Sequence, residues 1–406
     1  MTDLEQAKTT LTHQTIDENN PGTILKDFNT FLQLIKDEGI EVSGKNSLFP
    51  LKLLPELNAL LISPIRIDLK RPVQKSYPPL NGIYLLLRTT GLAVVVPENK
   101  KQKLALDEAT YESWQQLNLT EQYFTLLETW LIHASPETIA EKHHNNNLMT
   151  CINFWQTTKD TEGDLGFNYI PGFYNLALFD LFGLLKVEEG KPEKGKGWRV
   201  IGFEKTAYGK AIFALLVSYF FGTGSRFGLS ELFENLLQEE LIPKFGKLQD
   251  ILQPYFPEWK NNLIIHQEQS SEGVYIFKAS LESAWRRIAI PSFLLLDDLA
   301  EAILNAFEFD NDHLYAFICK QRIGKTLYIK HSFMDDPPYT DEFSVGDLPL
   351  KEGQTMIFLF DLGDNWEFKL VLEEIQAPNR DLNKPTLLKS SGKPPEQYPE
   401  YEDDFF

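Results

Sequence analysis

The chain has 406 residues, 43% of them hydrophobic and 13% aromatic, enough to supply cores for two to four domains. Lysine and arginine number 39 against 58 acidic residues, a net charge of −19, so the molecule as a whole repels phosphate backbones and any nucleic-acid contact has to be local. Cys151 and Cys319 show neither metal-ligand spacing nor a disulfide framework, the acidic N-terminus is not a secretory signal, and the longest apolar run, Ala211 to Phe221, is about half of the ~20 residues a membrane span needs; a cytoplasmic protein without a membrane segment is expected.

Residues 1–20 are polar and aperiodic and are expected to be disordered. From Ile24, apolar residues recur at helical spacing (Leu25, Phe28, Phe31, Leu32, Ile35) up to Gly39, and a short helix is predicted around Leu51 to Leu61. Pro78-Pro79 opens a third helix that ends at Gly91, a residue able to take the left-handed conformation at a helix C-terminus. Leu92 to Val96 and Lys103 to Leu106 then read as a hairpin turning over 97–102, and Asp107 is placed to cap the next helix. A further helix is predicted from Thr120 to Ile132, and Glu141 to Asn147 reads as a joint.

The same grammar returns about ninety residues later, from Gly91 to Gly183. Tyr174 to Phe182 is helical, Leu184 to Val187 and Trp198 to Phe203 form a hairpin around a Gly- and Lys-rich loop, and Thr206 caps Ala207 to Phe221. Gly228 to Phe245 reads as one more helix. From Val274 the pattern is strand (274–281), strand (284–290), helix (295–307), strand (314–320), strand (326–330) and a hairpin (355–360 with 367–372). The expected architecture is a disordered stretch over 1–20, winged-helix-like units over 21–140 and 141–258, and an α+β domain over 259–378, mostly antiparallel sheet plus a helix. An acidic flexible tail over 379–406 completes it.

Three motifs in the last domain are the most specific in the chain: Ala284-Trp285-Arg286-Arg287-Ile288-Ala289-Ile290-Pro291, Asp312-His313-Leu314-Tyr315-Ala316-Phe317, and Phe360-Asp361-Leu362-Gly363-Asp364-Asn365-Trp366. Over roughly 274–374 the sequence resembles the plasmid pRiA4b ORF-3-like family, found on bacterial plasmids, transposable elements and chromosomes. The resemblance marks Trp285, Arg286, His313, Asp361, Gly363, Asp364 and Trp366 as family-motif residues. Family members usually carry a His where Phe368 stands here, and cysteines with a Pro-Pro-Glu-Asp run where this chain has Pro394-Pro395-Glu396-Gln397. No metal site, and no cofactor, is therefore expected to be inherited.

Each candidate site has a plain structural reading beside the chemical one. Asp361 and Asp364 could share a cation with Glu367, but Asp and Gly are also what a tight hairpin connection needs. Trp366 is expected on a sheet face, against Trp285. Arg286 and Arg287 fall on opposite faces of a strand, so one of them could reach Asp361 or Asp364. His143-His144 and His331, Asp335 and Asp336 are weak as metal ligands, and no phosphate-loop, dinucleotide or serine-hydrolase fingerprint occurs. The hairpins are the stronger candidates: Lys100, Lys101 and Lys103 on the first, and Lys191, Lys194, Lys196 and Arg199 on the second, could grip a DNA backbone while the adjacent helix enters the major groove. The function expected is non-enzymatic, a nucleic-acid-linked or protein-linked regulator on mobile or chromosomal elements. The alternatives are a metal- or phosphate-dependent enzyme using the C-terminal carboxylates, and a protein-binding scaffold.

Overall fold

A computed structural model describes residues 3–98, 101–141, 147–159, 161–162, 171–221, 242–266, 272–335 and 337–398. It is a mixed α and β structure in two compact units, Met1–Gln267 with Arg322–Lys325 and Glu268–Gln321 with Thr326–Phe406. The helix expected over 228–245 falls mostly outside the described residues, as do Lys100, His143, His144 and Asp336.

In the first unit the order is α1 (Asp3–Thr12), α2 (Ile24–Asp37), β1 (Ile40–Val42), α3 (Leu54–Ala59), α4 (Pro78–Thr89), β2 (Ala93–Glu98), β3 (Lys101–Leu106), α5 (Glu108–Gln115) and α6 (Leu119–Glu128). It continues with α7 (Asn147–Thr157), β4 (Thr161–Glu162), α8 (Phe173–Leu181), β5 (Leu185–Glu189), β6 (Val200–Lys205), α9 (Ala207–Phe221) and α10 (Gln249–Leu252). Gly91 and Gly183 both take positive φ, +72° and +69°, and each turns the chain out of a helix into a hairpin. The helices that follow are capped as the side chains demand: Asp107 accepts from Thr110 N at 3.0 Å, and Thr206 Oγ1 accepts from Gly209 N at 2.9 Å. Each hairpin also gains a third strand on its return arm, β1 on β3 and β4 on β6, all antiparallel.

One apolar core runs through both repeats, from Ala7 to Leu263. Its centre is the pairing of α4 with α8. Every residue of α4 is buried, and at Gly82 the helices approach so closely that a Cβ would lie 2.8 Å from the Leu178 side chain. The helix before the first hairpin therefore has no face free to enter a major groove, since α4 is spent inside the protein. The polar N-terminus is also structured, because Ala7 and Leu11 give α1 a narrow apolar stripe that joins the core. Two buried glutamates of α6 fasten the chain that follows: Glu121 accepts from Lys260 N and Asn261 N (2.8 and 2.7 Å), and Glu128 from Gly246 N and Leu248 N (2.9 and 3.0 Å). Buried carboxylates are tolerable where backbone N–H groups satisfy them in this way.

The second unit is a seven-stranded sheet in the order β10-β9-β11-β12-β7-β8-β13, every pairing antiparallel. Its strands are β7 (Val274–Leu281), β8 (Ala284–Pro291), β9 (Tyr315–Lys320), β10 (Thr326–Lys330), β11 (Thr355–Phe360), β12 (Trp366–Gln376) and β13 (Thr386–Ser391). Helix α11 (Leu296–Phe307) covers one face. Alternate strand residues such as Phe277, Ile288, Phe317, Phe358 and Phe368 meet Leu299, Ile303 and Phe307 in a separate core. Where a loose tail was expected, β13 pairs with β8 from Thr386↔Ala289 to Ser391↔Trp285.

Gly183 tests how tightly the first core is built. A Cβ there would run into the Pro21 carbonyl oxygen, and the residue's positive φ is unfavourable to any side chain. Gly183→Ala is expected to lower unfolding stability by at least about 2 kcal/mol in urea denaturation; a change under about 0.5 kcal/mol would show that the contact is loose.

Candidate functional site

The two hairpins differ in what their cations do. On the first, Lys101 pairs with Glu41 of β1 at 3.4 Å and Lys103 with Glu98 at 2.7 Å, so these charges neutralise neighbours within the three-stranded sheet. On the second, Arg199 meets Glu193 at 2.5 Å, but Lys191, Lys194 and Lys196 are exposed and make no ion pair among the described residues. The loop that carries them is nonetheless held in place. Gly195 N donates to Asp68 O at 2.7 Å, and Asp68 N donates to Lys196 O at 3.2 Å.

That backbone pairing brings in a segment that sequence reading missed. Residues 62–73 form an extended strap, and the exposed Arg66, Lys70 and Arg71 flank Asp68 on it, also without an ion pair among the described residues. Two backbone hydrogen bonds thus tie a stretch carrying three exposed cations to a hairpin loop carrying three more, with Asp68, Glu188, Glu189 and Glu193 as interspersed acids. The sequence signal was present in Pro64-Ile65-Arg66-Ile67-Asp68-Leu69-Lys70-Arg71, but nothing in it indicates a partner more than a hundred residues away.

In the second unit, the Asp361–Asn365 connection is a self-capped turn. Asp361 and Asn365 hold φ of +55° and +56°, Asp361 Oδ1 accepts from Gly363 N at 2.8 Å, and Asn365 N donates to Asp361 O at 2.7 Å. The turn lies beside His313, whose Nε2 is 3.6 Å from Asp361 Oδ2. The tail closes over the same spot: Tyr398 Oη donates to Asp312 Oδ2 at 2.6 Å and lies 3.2 Å from His313 Nε2, while Gln397 bonds both the N–H and the carbonyl of Asp310. The bond to Asp312 holds the Tyr398 phenol up at about 12 and, reciprocally, Asp312 below the usual carboxylate range. Among the described residues, no group of three His, Cys, Asp or Glu side chains is placed to hold a metal ion.

The other motif residues lie elsewhere on the sheet. Trp366 packs on Phe309, with ring centroids 5.2 Å apart, rather than on Trp285, which lies on the other face between Lys278 and Lys389 (5.0 and 5.9 Å). Arg287 pairs with Glu373 at 2.6 Å. Arg286 is 5% exposed and reaches no carboxylate among the described residues; it donates to the carbonyls of Ala306 (2.6 Å), Trp285 (3.0 Å), Ser391 (3.1 Å) and Gly392 (3.3 Å), its guanidinium 4.7 Å from the Phe307 ring. The carbonyl end of α11 and the aromatic face compensate its charge, and Arg286 thereby fastens β13 to the helix.

Residues 275–402 match the model of the plasmid pRiA4b ORF-3-like protein family, so the C-terminal unit carries that domain, β13 and the Gln397–Tyr398 clasp included. Among solved structures, the chain is similar to a protein of unknown function from Methanosarcina mazei Go1, at 24% identity and a TM-score of 0.28 over 31% of this chain and 74% of that one. No curated protein matches. Among the described residues, no helix is long and apolar enough to cross a membrane.

Arg286→Met is expected to cost about 2–4 kcal/mol, since it removes the donor shared by four partly buried carbonyls and the tie from α11 to β13. Limited proteolysis should then cut ahead of β13; wild-type resistance in the variant would assign the arginine a lesser part.

Proposed function

We propose that the protein is a non-catalytic nucleic-acid-binding regulator, built from two winged-helix-like units and a pRiA4b ORF-3-like domain, that grips the phosphate backbone through its second hairpin and the strap beside it. The winged reading is supported by the order helix, strand, helix, helix, hairpin over α2, β1, α3, α4 and β2–β3, with β1 on the return arm of the hairpin. The second repeat supplies α7, β4, α8 and β5–β6, with β4 likewise on the return arm of the hairpin but no counterpart of α3 among the described residues.

The observation that carries the binding proposal is the convergence of Arg66, Lys70 and Arg71 with Lys191, Lys194 and Lys196 on a chain of net charge −19. Such a cluster is unfavourable on its own and is relieved by a polyanion. Because α4 is wholly buried, that helix has no face to read base edges in a groove; the contact is attributed to phosphates, and duplexes of different sequence should bind alike.

Fluorescence anisotropy with labelled duplexes, titrated with salt from low ionic strength, tests this. Charge reversal of Lys191, Lys194 and Lys196 to Glu should abolish binding, and their replacement by Gln should reduce the slope of log K against log salt by about 3. Reversal of Lys101 and Lys103 should change affinity by less than about threefold. No binding at low salt, or binding indifferent to the second-hairpin changes, removes the proposal.

A further inference from the structure

Beneath the second hairpin lies a cavity of about 190 Å³, walled by α8, the N-terminus of α4, the strap at Ser63 and the hairpin itself. Its wall is apolar over Pro79, Leu181 and the Trp198 ring, and acidic at Asp180 and Glu189. Each carboxylate has one oxygen committed and one without a hydrogen-bond partner among the described residues. Asp180 Oδ1 accepts from Val187 N at 2.8 Å, and Glu189 Oε1 accepts from the Trp198 indole N–H at 2.7 Å. We infer that this cavity is a binding site for a small organic ammonium compound, its cation between Asp180 and Glu189 and its hydrocarbon body against Trp198, Pro79 and Leu181.

Size and charge both narrow the ligand. An apolar cavity of about 150 Å³ holds a benzene ring, so this one has room for a ring with one or two further heavy atoms. An anion is excluded by two carboxylates, and a neutral ligand would leave their mutual repulsion in place. An ammonium group answers both free oxygens with charge-assisted hydrogen bonds, and an aromatic wall beside it favours a cation further. The cavity is separate from the exposed lysines to which nucleic-acid binding is attributed, so either reading can fail without the other.

The pH dependence is distinctive. Burial pushes the Asp180 carboxyl up to about 6, with the Val187 N–H and the Lys186 charge acting to lower it and the Glu189 charge to raise it. A carboxylic acid with a raised pKa is charged only above that value, so ammonium binding should weaken as the pH falls through 6; an ordinary aspartate would keep its charge down to about 4.

Calorimetry on the full chain with benzylamine and its neutral counterpart benzyl alcohol tests the inference. At pH 7.5 benzylamine should bind at least about tenfold more tightly than the alcohol, and moving to pH 5 should weaken it about tenfold. Asp180→Asn and Glu189→Gln each keep an acceptor for their present donor and should each reduce amine affinity by about fivefold or more without affecting the alcohol. Should Asp180→Asn fail to fold by circular dichroism, Glu189→Gln decides alone. Equal affinity for amine and alcohol, no heat from either, or amine binding unchanged by the folded variants would overturn the assignment.

Discussion

The mutual burial of α4 and α8 is the constraint on which the first unit depends. Gly82 lets the two helices approach until Leu178 fills the place a side chain would take, and with every residue of α4 inside, the two repeats share one core. Two modules that could each have been marginal on their own bury their exposed helical faces against each other. The same packing decides chemistry. With every residue of α4 inside, that helix has no face left to offer a partner.

Electrostatics separates the two hairpins although their sequences look alike. On the first, a third strand supplies Glu41 and absorbs the lysine charge; on the second, the neighbouring strap contributes cations of its own. In a chain of net charge −19, this corner is a local exception in charge. Salt would screen the proposed attraction for a polyanion over about 10 Å at 0.1 M, so such an interaction would be tunable by ionic conditions in a way that a hydrophobic interface is not.

What could be read from the sequence was what local chemistry determines. The pairs Gly91–Asp107 and Gly183–Thr206 announce helix exit, hairpin and capped helix, and the alternation in Thr355–Phe360 and Glu367–Leu372 announces the sheet. The turn at Asp361 was legible for the same reason, because Asp and Gly write their own backbone hydrogen bonds. Long-range pairings were not legible. Nothing in Ile40–Val42 points to β3, nothing in Asp68 points to Gly195, and the polar composition of the tail concealed that Thr386–Ser391 is a strand. Arg286 misled in the other direction: its type suggested an acidic partner, whereas its burial made backbone carbonyls the available acceptors.

The returning strand β13 has a kinetic consequence. Its register with β8 joins Trp285 to Ser391, so this pairing, like that of β12 with β7, links residues far apart in the sequence of the C-terminal unit. Until it seats, β8 is an uncovered sheet edge carrying Ile288 and Ile290, open to the matching edge of another molecule. Self-association during refolding, rather than instability of the finished domain, is the hazard that this topology creates, and a chain ended before Thr386 would meet it permanently.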